Sequence, residues 1–178
     1  MFWGTAIAVS QINSRRSLMK AYLIPLLALG TTVAQAQSVR TERNISLELA
    51  NQIATASVAA CHKKGFAVTA TLVDRAGSVR AVQRHDNAGP HTLEASRAKA
   101  FTSASAKNTT LAMMESSQKN PAAANLVNIP GFLLLGGGVP VKVGNEVIGA
   151  VGVAGALGGN LDEQCAIEAL DHVKNFLK

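Results

Sequence analysis

The sequence predicts an α+β fold: an antiparallel sheet of about five strands with flanking helices, in the order α-β-β-α-α-β-β-β-α. Three observations carry this. Short runs rich in β-branched residues are joined twice by turn residues, which pairs neighbouring strands as hairpins. No repeating strand-helix-strand unit appears, so nothing calls for a parallel sheet. Apolar residues at helical spacing open and close the stretch from Arg40 to Lys178.

Between Arg40 and Lys64, Ile45, Leu49, Ile53, Ala56 and Ala60 recur every three or four residues and form one face of a helix. Lys63, Lys64 and Gly65 suit its end, because cations complement the helix dipole and glycine accommodates the stop. Phe66–Val73 reads as a strand. Asp74–Gly77 supplies a turn, and Ser78–Arg84 is the returning strand. Gly89-Pro90 closes the loop that follows and prevents a helix from running through it. A helix is expected over Thr92–Asn108, where the many Ala and Ser residues suggest close packing in place of a broad apolar stripe. A second helical piece is expected over Thr109–Ser117. Lys119–Pro121 and Asn128–Gly131 read as loops. Phe132–Leu135 reads as a short strand, and Val139–Val143 and Val147–Val153 form a hairpin around Gly144-Asn145. Asn160, with Glu163 three residues on, resembles a capping box, and the helix that follows runs through Ile167, Leu170, Val173 and Leu177.

Residues 1–36 differ in character from the rest. They contain no Asp or Glu, and the run Ala21–Val33 is apolar, preceded by Lys20 and followed by Ala34-Gln35-Ala36. A membrane-spanning helix needs about twenty apolar residues, so this shorter run reads as a signal peptide with a small-x-small cleavage site. A protein starting at Gln37 is expected in the periplasm or secreted, with no membrane anchor left. Met19-Lys20 would make an ordinary start, leaving residues 1–18 as an upstream overcall. Ser14-Arg15-Arg16-Ser17-Leu18-Met19-Lys20 also resembles a twin-arginine export motif, although the general secretory route explains the segment more simply.

Cleavage would leave 142 residues, enough for one core. It removes three of the seventeen bases (Arg15, Arg16 and Lys20) and none of the eleven acids, giving a net charge of +3. No basic cluster beyond pairs such as Lys63-Lys64 remains, and no aromatics lie among the bases, so nucleic-acid binding is excluded. Cys61 and Cys165 would meet an oxidising compartment. They read either as a disulfide or as two small buried apolar residues.

Two segments then become specific. Asp86-Asn-Ala-Gly-Pro-His-Thr-Leu-Glu-Ala-Ser-Arg-Ala-Lys-Ala-Phe-Thr-Ser103 resembles the signature helix of the HbpS/GlcG-like family of haem-binding or haem-degrading proteins. Gly137-Gly-Val-Pro-Val through Gly149-Ala-Val-Gly-Val, followed by Asp162-Glu-Gln-Cys-Ala-Ile-Glu-Ala169, is similar to that family's second half. The resemblance covers about Arg40 to Lys178. It implies a profilin-like or PAS-like sheet, homo-oligomers with octamers among them, and haem or a related tetrapyrrole as ligand. It also implies a threonine hydroxyl associated with iron, which falls on Thr102.

The residue types themselves supply further candidates. Tyr is absent after residue 22, so iron ligands would come from His62, His85, His91, His172, the cysteines, Met113 or Met114. His91 is best placed, between a Gly-Pro turn and a helix N-terminus whose backbone N–H groups suit a propionate. A solvent-facing first-turn histidine is the plainer reading. His85 lies in the loop, and His62 sits at the basic end of the first helix. His172 reads as solvated, and the methionines as core filler. Arg97 and Lys99 are candidates to pair with propionates, or are ordinary surface charges. Gly136–Gly138 and Gly149–Gly155 form neither a phosphate loop nor a dinucleotide fingerprint; they mark helix packing or a flat ligand on the sheet. No nucleophile, base and acid set is legible, and the spacing of acids and histidines suggests no structural zinc site. Two functions follow: an exported haem-binding protein acting in scavenging, buffering or degradation, or a small-molecule-binding sensory or accessory module at the cell envelope.

Overall fold

The computed structural model describes residues 39–178; the expected signal peptide lies outside them. Helix α1 (Leu47–Lys63) begins where Ser46 caps it, its hydroxyl accepting from the Leu49 N–H. The expected earlier start is therefore corrected. Residues 40–45 form no helix, and Ile45 is buried while its N–H reaches the Ile148 carbonyl. Strands β1 (Thr69–Asp74) and β2 (Val79–Arg84) form the first hairpin, and β3 (Gly138–Val143) and β4 (Glu146–Ala154) form the second across Gly144-Asn145. All pairings are antiparallel, in the order β2-β1-β4-β3.

The sheet has four strands, not about five. Phe132–Leu135 is irregular because helix side chains satisfy its backbone. The Leu133 N–H donates to Thr102 Oγ1 at 2.8 Å, and the Leu135 carbonyl accepts from Thr110 Oγ1 at 2.8 Å. With those groups engaged, a fifth strand has little to offer β3.

Helices α2 (His91–Ala106) and α3 (Thr110–Lys119) lie where expected, and a 3₁₀ segment, Pro121–Asn128, spans the stretch between the two expected loops. Helix α4 (Gly159–His172) starts earlier than the Asn160 box predicts, with Gly158 at its N-cap. Glu163 does not cap it. Its Oε2 accepts instead from the Leu111 and Gly137 N–H groups, at 3.1 and 3.3 Å. Among the described residues no helix is long and apolar enough to cross a membrane.

Both sheet faces are covered, by different chemistry. On one face Ala70 and Leu72 of β1 and Val151 and Val153 of β4 meet Ile53 and Ala54 of α1 and Ala166 and Ala169 of α4 in an aliphatic core. There Cys61 and Cys165, both fully buried, form a disulfide between α1 and α4. On the other face α2 packs closely. A Cβ on Gly152 would lie 2.1 Å from the Ser96 carbonyl, and one on Gly138 would lie 2.4 Å from that of Lys99. These glycines therefore serve helix packing, the first of the two readings the sequence allowed. Hydroxyl pairs replace aliphatic contacts here: Thr69 with Thr92 and Thr71 with Ser96, each at 2.7 Å.

Candidate functional site

Two lines of side chains on helix α2 bear on the site. Thr92, Ser96 and Ala100 face the sheet, and one flank of that line carries His91, Ala95 and Lys99. This flank, with the Gly155–Gly159 loop between β4 and α4, borders a cleft of about 310 Å³ that Leu135, Leu157 and Asp162 also line. The loop can lie close because glycine tolerates what other residues would not: Gly155 has φ +133°, and a Cβ there would meet the Ala67 carbonyl at 2.6 Å.

The floor of the cleft is a buried ion pair. Lys99 Nζ lies 2.7 Å from Asp162 Oδ2, with side chains 1% and 4% exposed. Lys99 also donates to the Val153 carbonyl at 3.0 Å, and Asp162 Oδ1 accepts from the Ala156 N–H at 2.9 Å. Burial holds the Lys99 ammonium below the usual lysine range and pushes the Asp162 carboxyl above the usual carboxylate range; in each case the partner's charge opposes the shift. The surface-charge reading of Lys99 is therefore corrected, since its charge is already neutralised inside the protein. The topology alone brings these two residues together, and no local pattern marks a pair 63 positions apart.

The other expected residues separate. His91 is exposed at the rim, its imidazole packed over Gly89 and without a hydrogen-bond or ionic partner among the described residues. Thr102 does not line the cleft. It is fully buried, and its hydroxyl donates to the Ala98 carbonyl at 2.8 Å while accepting from Leu133, so the oxygen expected to meet iron is turned into the protein. Arg97 also lies off the cleft, in a salt bridge to Glu94 at 2.5 Å. His62 and His85 stack on each other, with centroids 4.8 Å apart. His172 lines a separate, larger groove beside α1, and Met113 is buried.

The rim of the cleft is apolar and exposed. Leu157 is 91% exposed and Leu135 41% exposed. Among the described residues no three His, Cys, Asp or Glu side chains are grouped to hold a metal ion. A metal brought by a ligand of its own would meet a single imidazole. The cleft can thus contact a flat apolar body against the leucines and offer one nitrogen ligand from the start of α2. A porphyrin edge fits that chemistry. The volume lies near the lower end of the roughly 300–1,000 Å³ common for small-molecule sites, so the rest of such a ligand would lie on the open surface.

Comparison with known proteins agrees with this architecture. The sequence model described as haem degrading protein HbpS-like matches residues 45–171. The chain is 32% identical over 116 residues to protein GlcG of Escherichia coli K12, covering 65% of this chain and 85% of GlcG. A crystal structure of a Streptomyces reticuli HbpS double mutant superposes with a TM-score of 0.72 at 29% identity, covering 94% of this chain and 99% of that one. Klebsiella pneumoniae protein ORFY superposes with a TM-score of 0.72 at 30% identity, covering 76% of this chain and 94% of that one.

Proposed function

Since the chain belongs to the haem-degrading HbpS-like family, we propose that it is an exported protein that binds haem or a related tetrapyrrole and acts in scavenging, buffering or degradation. The observation that carries this reading is the unpartnered His91 imidazole at the apolar rim of the cleft. His91 would hold the iron, and Leu135 and Leu157 would bear on the ring. The start of α2 would meet a propionate, because that helix begins without a capping side chain. Lys99 is committed to Asp162, so its part is to fix the cleft floor and not to neutralise a propionate.

The bound group would supply a redox-active iron. The chain supplies one imidazole and an open approach, a combination suited to reversible holding. No set of residues in the cleft is arranged as an acid, base and nucleophile.

Titrating the purified protein with haemin tests this. A saturable, red-shifted Soret band at fixed stoichiometry is expected. Loss of a metal's outer-shell partner alone costs roughly 10–100-fold in affinity, so His91→Ala should weaken binding by at least that much. Thr102→Ala should lower stability and leave the band in place. An absent band, or one indifferent to His91→Ala, would overturn the site. Recovery of the processed chain in a periplasmic or secreted fraction checks export.

A further inference from the structure

A second groove in the described structure is larger than the cleft at His91. It has a volume of about 810 Å³ and runs between α1 and α4 on the opposite face of the sheet. Three alanines of α1 (Ala56, Ala59 and Ala60) give it a smooth apolar floor. Val173 and Phe176 form an apolar wall, and Phe176 is 65% exposed.

Charge is distributed unevenly along it. From Asn51 to Lys63 the groove follows α1 for about 18 Å, at 1.5 Å per residue. Asn51 and Gln52 bring neutral amides to one end. Lys63 stands at the other, and its ammonium has no partner among the described residues. The one acid of the lining, Glu168, is taken by Lys64 at 2.5 Å. His172 adds a second nitrogen base. An apolar trough with an uncompensated cation at one end complements a long apolar body that ends in an anion.

From this geometry we infer a second binding site, for a single-chain acyl carboxylate. Its chain lies along Ala56, Ala59 and Phe176, and its carboxylate meets Lys63. The volume falls within the range of small-molecule sites, and the length suits an extended chain better than a compact ring. The site shares no residue with the cleft at His91, so it stands or falls separately from the haem reading.

The test is fluorescence titration of the purified protein with dansyl-undecanoate. Saturable binding is expected, displaced by dodecanoate and not by dodecyltrimethylammonium. Lys63→Glu should weaken it by roughly ten-fold, equivalent to about 1.4 kcal/mol. Ala59→Trp, at an exposed position that tolerates a larger side chain, should abolish it by filling the trough, and His91→Ala should leave it unchanged. Absence of saturable binding, equal displacement by the ammonium, or indifference to Lys63→Glu would overturn the proposal. So would displacement of the probe by haemin from the His91→Ala protein, which would make the groove a porphyrin site.

Discussion

Replacing Asp162 with alanine leaves Lys99 buried, 1% exposed, with the Val153 carbonyl as its remaining partner. Breaking a buried pair from one side costs about 3–5 kcal/mol. The substitution also strips the acceptor from the Ala156 N–H. At roughly 3–4 °C per kcal/mol for a domain of this size, the midpoint should fall by about 10–20 °C. The loss has a ceiling, because Lys99 can shed its proton. Its folded pKa already lies below 10.5, with burial the largest cause and Asp162 opposing it. Removing Asp162 lowers it further. Between that lowered value and 10.5 the unfolded chain binds more protons than the folded one, so stability of the variant should rise with pH across this window. Urea unfolding of Asp162→Ala at several pH values measures both effects. Changing both residues, to Met at 99 and Leu at 162, removes the stranded charge and should restore most of the stability. The reasoning fails if the single variant loses under about 1 kcal/mol, or if the double variant is as unstable as the single one.

Three further outcomes follow from other parts of the molecule. Cys61→Ala with Cys165→Ala should lower stability by about 2–5 kcal/mol, since the bond closes a loop of roughly 100 residues; a reductant in a urea titration of the native protein should mimic it. Gly152→Ala should cost about 1–3 kcal/mol or more, because its Cβ would meet the Ser96 backbone carbonyl and not a flexible side-chain tip; thermal unfolding reads this. Glu146 is held below the ordinary carboxylate range by its bond to Arg43 first, with Arg75 adding to it. A depressed pKa gives stability that is present above about pH 4.5 and is lost as pH falls through the folded value, so Glu146→Gln should flatten that acid limb in circular dichroism.

What was legible in the sequence was local. The Gly144-Asn145 hairpin, the helical spacing of Ile53, Ala56 and Ala60, and the small residues of α2 each have a short-range physical cause, and each appears in the structure. Ser46 caps α1, a start that the apolar spacing through Ile45 hides. The misread elements depended on distant partners. Phe132–Leu135 has strand composition, yet Thr102 and Thr110 claim its backbone from 31 and 25 positions away. Glu163 has the spacing of a cap, yet it is drawn to Leu111 and Gly137. The site divides the same way. His91 was visible from its place after Gly89-Pro90, while Asp162 and the Leu157 loop enter only when the sheet brings β4 and α4 against α2.

That dependence on topology explains why the α2 face carries hydroxyls and a buried ion pair where aliphatic residues would pack more simply. Apolar contacts of similar size tolerate sliding; hydrogen bonds do not. Thr92, Ser96 and Lys99 step along α2 by four and three residues and meet Thr69, Thr71 and Asp162. A shift of α2 by one residue would carry all three polar groups away from their partners at once, leaving Thr92 and Ser96 only their local bonds to the Gly89 and Leu93 carbonyls and Lys99 without Asp162. The face therefore selects one axial and rotational setting of the helix. His91 lies one residue before the first of these anchors, so the setting that satisfies Thr92, Ser96 and Lys99 is also the one that holds the imidazole at the rim. Lys99 and Asp162 contribute to the cleft from below, by fixing the helix that carries His91 to the loop that carries Leu157.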